Sequence, residues 1–176
     1  SAASDVYKRQ IMDDILWLYL IIIVGLIALS AFFSGSETAL TAASRARMHH
    51  WARKGDRRAE IVRGLREDKE TLLGALLLGN NLVNIFAASL ATSVFVGLFG
   101  EAGVAVTTIG LTLLLLIFAE VLPKTVAITH PDRTAVTVAP IVRWIVRILS
   151  PAVAAVQAVV GLSLIHISEP TRLAEI

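Results

Sequence analysis

Three apolar runs dominate the hydropathy pattern, at residues 15–33, 71–99 and 104–126. A helix rising 1.5 Å per residue needs about 20 residues to cross a bilayer core, so each run predicts a transmembrane helix. Between the first two lies a segment of mixed charge, 45–70, with nine Lys or Arg residues set among Asp56, Glu60, Glu67, Asp68 and Glu70 and no proline. It predicts one or two helices on the membrane surface. Gly100-Glu-Ala-Gly103 predicts a tight turn. After Pro131-Asp-Arg133 comes a second kind of segment, 134–160, apolar except for Arg143 and Arg147, which share a helix face. That pattern suits a belt helix lying in the interface with its arginines reaching for water, broken or kinked at Pro140 and Pro151. The fold class expected is therefore an all-α membrane protein, with three transmembrane helices plus amphipathic juxtamembrane helices.

Composition agrees. The 176 residues are 56% hydrophobic with mean hydropathy +0.73, above the roughly 45–50% apolar content of soluble domains. The absence of cysteine excludes disulfides and thiolate metal sites. The first run is too long for a signal-peptide core, so a retained span is expected. Lys and Arg mark the cytoplasmic side. The loop after the first span is basic, and the turn after the second has neither Lys nor Arg. This places the N-terminus outside and the C-terminus in the cytoplasm. Lys124, Arg133, Arg143 and Arg147 fall on the cytoplasmic side in the same scheme. Residues 1–10 and 163–176 continue no pattern of their neighbours and read as non-native tails around a membrane domain at 11–162.

Each span carries a polar cluster. The first is Ser34-Gly35-Ser36-Glu37, where glycine is expected to loosen the helix and bring backbone carbonyls beside serine hydroxyls. The second is Gly79-Asn80-Asn81-Leu-Val-Asn84, with Asn80 and Asn84 on one face. The third is Ala119-Glu120 with Pro123, whose ring nitrogen cannot donate to the Ala119 carbonyl. A carboxylate at membrane depth costs at least about 2.5–3.5 kcal/mol, which marks Glu120 as functional. Simpler roles exist for each group: the asparagines as interhelical hydrogen-bond partners, Ser36 or Thr38 as the cap of the following helix, Glu37 in water or paired with an arginine, and Glu120 paired with Lys124. Together, however, the clusters offer oxygen ligands only, a set suited to Mg²⁺, Ca²⁺, Mn²⁺ or Na⁺. One carboxylate among neutral oxygens suits an ion that must be released.

The motifs Phe-Phe-Ser34-Gly-Ser-Glu-Thr-Ala-Leu40, Leu-Gly79-Asn-Asn-Leu-Val-Asn84 and Phe-Ala-Glu120-Val-Leu-Pro-Lys-Thr125 resemble the transmembrane domain of the CorC/cyclin M (CNNM) magnesium transporter family, including its hemolysin C-like bacterial members. The resemblance covers about residues 14–160. It implies a homodimer in the bacterial inner membrane that exports Mg²⁺, with Na⁺ as the coupling ion. It also implies that a dehydrated Mg²⁺ is held by Ser34 or Ser36, by Asn80 and Asn84, and by Glu120, with backbone near Gly35 and Ala119 completing the shell. Family members continue into cytosolic CBS modules that bind adenine nucleotides. Those modules are not among these residues, so no nucleotide site and no enzymatic activity are expected in them.

Two other functions compete. A serine protease would need a base, but His49, His50 and His130 all lie outside the spans. A non-conducting Mg²⁺-sensing anchor for a cytosolic domain would use the same ligands. The interleaved acids of segment 45–70 favour anionic lipid headgroups over nucleic acid.

Overall fold

The computed structural model describes the backbone of residues 2–168 and the side chains of residues 15–161. The expected tails, 1–10 and 163–176, fall outside the residues whose side chains are described. The described chain is helical, in the order α1 (Ala2–Ala42), α2 (Arg45–Arg53), α3 (Arg57–Leu65), α4 (Lys69–Phe99), α5 (Ala102–Leu114), a π-helical segment (Leu115–Val121), α6 (Leu122–Thr129) and α7 (Pro131–Ser168). Segment 45–70 forms two helices, and Gly100, at φ 62°, makes the turn between α4 and α5. The α5–π–α6 run is one continuous third helix.

Four helical stretches among the described residues are long and apolar enough to cross a membrane, at Ile15–Ala42, Lys69–Phe99, Ala102–Thr129 and Pro131–Gly161. The three-span expectation is thus one short by length and composition. The extra stretch arises because neither proline ends α7. Pro151 has no N–H for the Arg147 carbonyl, but the Ser150 hydroxyl donates to that carbonyl at 3.1 Å, replacing the lost bond.

The first span also runs further than expected. Ser34-Gly35-Ser36 does not loosen the helix, which continues to Ala42. Thr38 and Thr41 turn their hydroxyls back onto the carbonyls of Ser34 and Glu37, at 3.1 and 2.8 Å, so they are not caps. The cap of the basic helix is Ser44 rather than Ser36 or Thr38. Its hydroxyl accepts the Arg47 N–H at 3.4 Å. Asp56 and Asp68 cap α3 and α4 in the same way, accepting from Arg58 and Thr71 at 2.9 and 3.0 Å.

Two apolar clusters fix how the helices run. One joins Leu40, Met48, Val62, Leu72, Leu76, Ala139 and Val142, gathering α1–α4 and α7 at one end. The other joins Ile23, Ala91, Val94 and Leu111 at the opposite end. Along α1 from Ile23 to Leu40, the α4 partners fall from Val94 to Leu72, so α1 and α4 are antiparallel. The third helix runs parallel to α1, since Leu111 clusters with Ile23 and Pro123 lies against Gly35. Its inward residues recur every fourth position: Gly103, Thr107, Leu111, Ala119 and Ala127 are buried, with Leu115 and Pro123 half-buried between them.

The α1–α2 corner is closed from afar. The Ser44 N–H donates to the Asp132 carboxylate at 2.7 Å, Arg47 pairs with the same carboxylate at 2.6 Å, and Arg66 donates to the Ala43 carbonyl at 2.6 Å.

Candidate functional site

Helix α1 is the hub of the three clusters. Toward α4, the Ser30 hydroxyl donates to Asn80 Oδ1 at 2.7 Å. Phe33 lies over Gly79, where a Cβ would come within 2.5 Å of its ring. The glycine therefore sets the close approach of α1 and α4 at this level. Toward the third helix, Gly35 faces Pro123, whose carbonyl oxygen would lie 3.5 Å from a Cβ at Gly35.

Helical rotation, about 100° per residue, then separates the two serines. Ser30 and Phe33 point toward α4, and Gly35 points toward the third helix. Ser34 falls between these directions, facing the wedge between α4 and the helix that bears Glu120. Ser36 is turned about 200° from Ser34, toward the cluster of Ala39 and Leu40. Both serines are fully buried, and neither hydroxyl has a hydrogen-bond partner. Asn84 Oδ1 is likewise buried without a partner. Buried polar atoms without partners are few in folded proteins and each needs a reason.

Depth follows from the pairings. Ser30 is level with Asn80, and the Gly35–Pro123 contact places Glu120, three residues earlier, level with Phe32. Asn84 lies one turn beyond Asn80, away from the α2–α3 end. Cα–Cβ bonds tilt toward a helix's own N-terminus. Because α4 is antiparallel to its two neighbours, the side chains of Asn80 and Asn84 lean toward those of Ser34 and Glu120. Asn81 is exposed on the outer face of α4.

Glu120 sits inside the π segment, half-buried beside the fully buried Ala119. The Leu122 N–H reaches the Ile117 carbonyl, one residue further back than in an α-helix. Pro123 can donate neither to Phe118 in this wider register nor to Ala119 in the α register. Widened turns of this kind recur at functional sites. The Glu120–Lys124 pair considered from the sequence is not formed. Among the described residues the single ion pair is Arg47–Asp132, and Glu37 is half-buried without one.

Two residues were not singled out by the sequence pattern. Ser30 lies one turn before Ser34 on the same face, and that spacing was the available signal. Asp132 gave none, because its partner is 88 positions away.

Known proteins are similar to this chain over most of its length. Residues 21–173 match the model of the cyclin M transmembrane N-terminal domain. The chain is 48% identical over 107 residues to the UPF0053 inner membrane protein YfjD of Escherichia coli, covering 61% of this chain and 25% of that protein. It is 40% identical over 136 residues to a UPF0053 protein of Haemophilus influenzae, covering 77% and 32%. A chloroplastic DUF21 domain-containing protein of Arabidopsis thaliana is 36% identical over 131 residues, covering 74% and 20%. The chain thus spans a third or less of the length of these relatives.

Proposed function

The chain belongs to the cyclin M transmembrane N-terminal domain family, and from that premise we propose that it is the membrane domain of a Mg²⁺ transporter. The observation that carries the reading is that Ser34 Oγ and Asn84 Oδ1 are buried without partners, with the unpaired Glu120 of the widened turn at a level between them. A dehydrated Mg²⁺ would complete such a set. Mg²⁺ requires close to octahedral oxygen coordination, and a preformed cage offsets the loss of its water shell.

The ligands in this reading are Ser34, Asn80, Asn84 and Glu120, with carbonyls near Gly35 and Ala119. Ser36 is a weaker candidate, because it is turned to the other side of α1. Glu120 supplies the charge, and the neutral oxygens keep the ion releasable. The cycle is Mg²⁺ export coupled to Na⁺, performed by a homodimer of a bacterial inner-membrane protein. The N-terminus is outside and the α2–α3 layer is in the cytoplasm, next to CBS modules of the complete protein.

Within this reading α7 is a belt rather than a fourth span. Asp132 contacts Ser44 and Arg47 at the α2–α3 end of the bundle. Val153 packs on Gly74, early in α4 and at the same end. The helix between them is about 32 Å long at 1.5 Å per residue, enough to cross the hydrocarbon core if upright. Both contacts lie in the α2–α3 half of the bundle, which fits a stretch lying along the membrane surface. Its faces fit as well. Ala135, Ala139, Val142 and Val153 pack inward, Ile141, Trp144 and Ile148 are exposed to lipid, and Arg133, Arg143 and Arg147 form a third, basic side toward water.

The test is Mg²⁺ flux in liposomes carrying the reconstituted protein, wild type against Glu120→Gln. Loss of flux with an intact dimer supports the transporter. Undiminished flux in the variant overturns it. Mg²⁺ binding without flux in the wild type points instead to a sensing anchor.

A further inference from the structure

The two inward-facing asparagines of α4 differ in what their amide oxygens meet. Asn84 Oδ1 is buried and has no partner. Asn80 Oδ1 already accepts the Ser30 hydroxyl at 2.7 Å, and Ser30 is fully buried. An amide oxygen has two acceptor sites. The Ser30 proton takes one, which fixes the amide plane and aims the other. Gly79, beside Asn80, holds α4 against Phe33, so the distance across which Ser30 reaches is itself fixed by packing.

We propose that Ser30 is a positioning and specificity-determining residue of the cation site. It presets the direction of the Asn80 oxygen and thereby favours Mg²⁺ over Ca²⁺. The inference rests on the reading of the site as a Mg²⁺ site. Its physical basis is the difference between the two ions. Mg²⁺ tolerates little departure from octahedral geometry at about 2.0–2.1 Å, whereas Ca²⁺ accepts six to eight oxygens at about 2.3–2.6 Å in flexible arrangements. An amide released from Ser30 still serves Ca²⁺ and serves Mg²⁺ poorly. Ser30 touches no ion in this scheme and acts only through Asn80.

The experiment is calorimetric titration of the purified complete protein with MgCl₂ and with CaCl₂. The proteins compared are wild type, Ser30→Ala, Asn80→Ala, the double variant, Asn84→Ala and Glu120→Gln. Ser30→Ala is expected to lower Mg²⁺ affinity about tenfold and Ca²⁺ affinity about twofold or less, so the selectivity ratio falls. In the Asn80→Ala background the same change is expected to do nothing further, because contacting residues couple in a double-mutant cycle. Ser30→Cys keeps the size but donates weakly, and it should fall between wild type and Ser30→Ala, which covers the case in which the alanine variant folds poorly. Equal losses for both ions, or independent effects of Ser30 and Asn80, overturn the proposal. If Asn84→Ala and Glu120→Gln bind Mg²⁺ as wild type does, the site reading falls and the inference with it. If those two lose Mg²⁺ while Ser30→Ala keeps its selectivity, only the inference falls.

Discussion

Asp132 holds the backbone N–H of Ser44 at 2.7 Å across 88 positions of sequence. The chain breaks helical register between α1 and α2 there, leaving polar backbone groups on both sides of the break. Asp132 takes the Ser44 N–H, and Arg66 takes the Ala43 carbonyl at 2.6 Å. The carboxylate is 7% exposed, while its ion-pair partner Arg47 is 61% exposed. Losing the acid leaves a part-buried N–H without its partner, at up to about 1–3 kcal/mol, and ends the ion pair as well. Losing the exposed arginine should cost about 1 kcal/mol or less. Thermal unfolding in detergent should therefore rank Asp132→Ala well below Arg47→Ala, and equal midpoints would refute the ranking.

The two site glycines should respond oppositely to alanine. At Gly79 a methyl runs into the buried Phe33 ring, and overpacking typically costs about 1–3 kcal/mol. At Gly35 the nearest atoms are 3.5 Å away, ordinary contact, and a helical Gly→Ala change gains up to about 1 kcal/mol. The expected order of unfolding midpoints is Gly35→Ala at or above wild type, and Gly79→Ala below it.

Pro123→Ala restores a backbone N–H just past the π segment. It lets the turn close to the α register, which would rotate Glu120 relative to Ser34 and Asn84. Helical content by circular dichroism should hold or rise, while Mg²⁺ affinity should fall about tenfold or more. Unchanged affinity would detach the π segment from the site.

Asp68, the α4 cap, has its carboxyl held below the ordinary carboxylate range, first by the Thr71 side chain and then by the Thr71 N–H. A depressed folded pKa means the contribution is fully present above the unfolded value of about 3.9. It is lost as pH falls through the folded value. Asp68→Asn should narrow its deficit against wild type as the pH drops below about 4, as read from unfolding midpoints at stepped pH.

What the sequence made legible follows from range. Spans α4 and α5–α6 and the two basic helices are written in local periodicity and in caps such as Asp56 and Asp68. The polar clusters stood out because polar atoms in apolar runs are conspicuous. The end of α1 was misplaced because a serine cap looks the same at Ser36 and at Ser44, and Asp132, which helps to fix the second, is remote. The opposite facing of Ser34 and Ser36 needed helical phase as well as sequence distance. The reach of α7 past Pro140 and Pro151 was not legible because an internal proline can be accommodated, at Pro151 with the Ser150 hydroxyl taking up the freed Arg147 carbonyl.

The inward stripe of the third helix steps by four residues from Gly103 to Ala127. At 3.6 residues per turn each such step overshoots by about 40°. A straight α-helix would carry the stripe more than halfway round, out to lipid, before reaching Ala127. The wider turns from Leu115 to Val121 rotate less per residue and wind part of that excess back. The π segment thus works as a phase corrector, letting one helix keep the same face toward its neighbours at both ends of the bundle. A strict four-residue step of inward positions in an apolar span is, on this account, a written instruction to underwind.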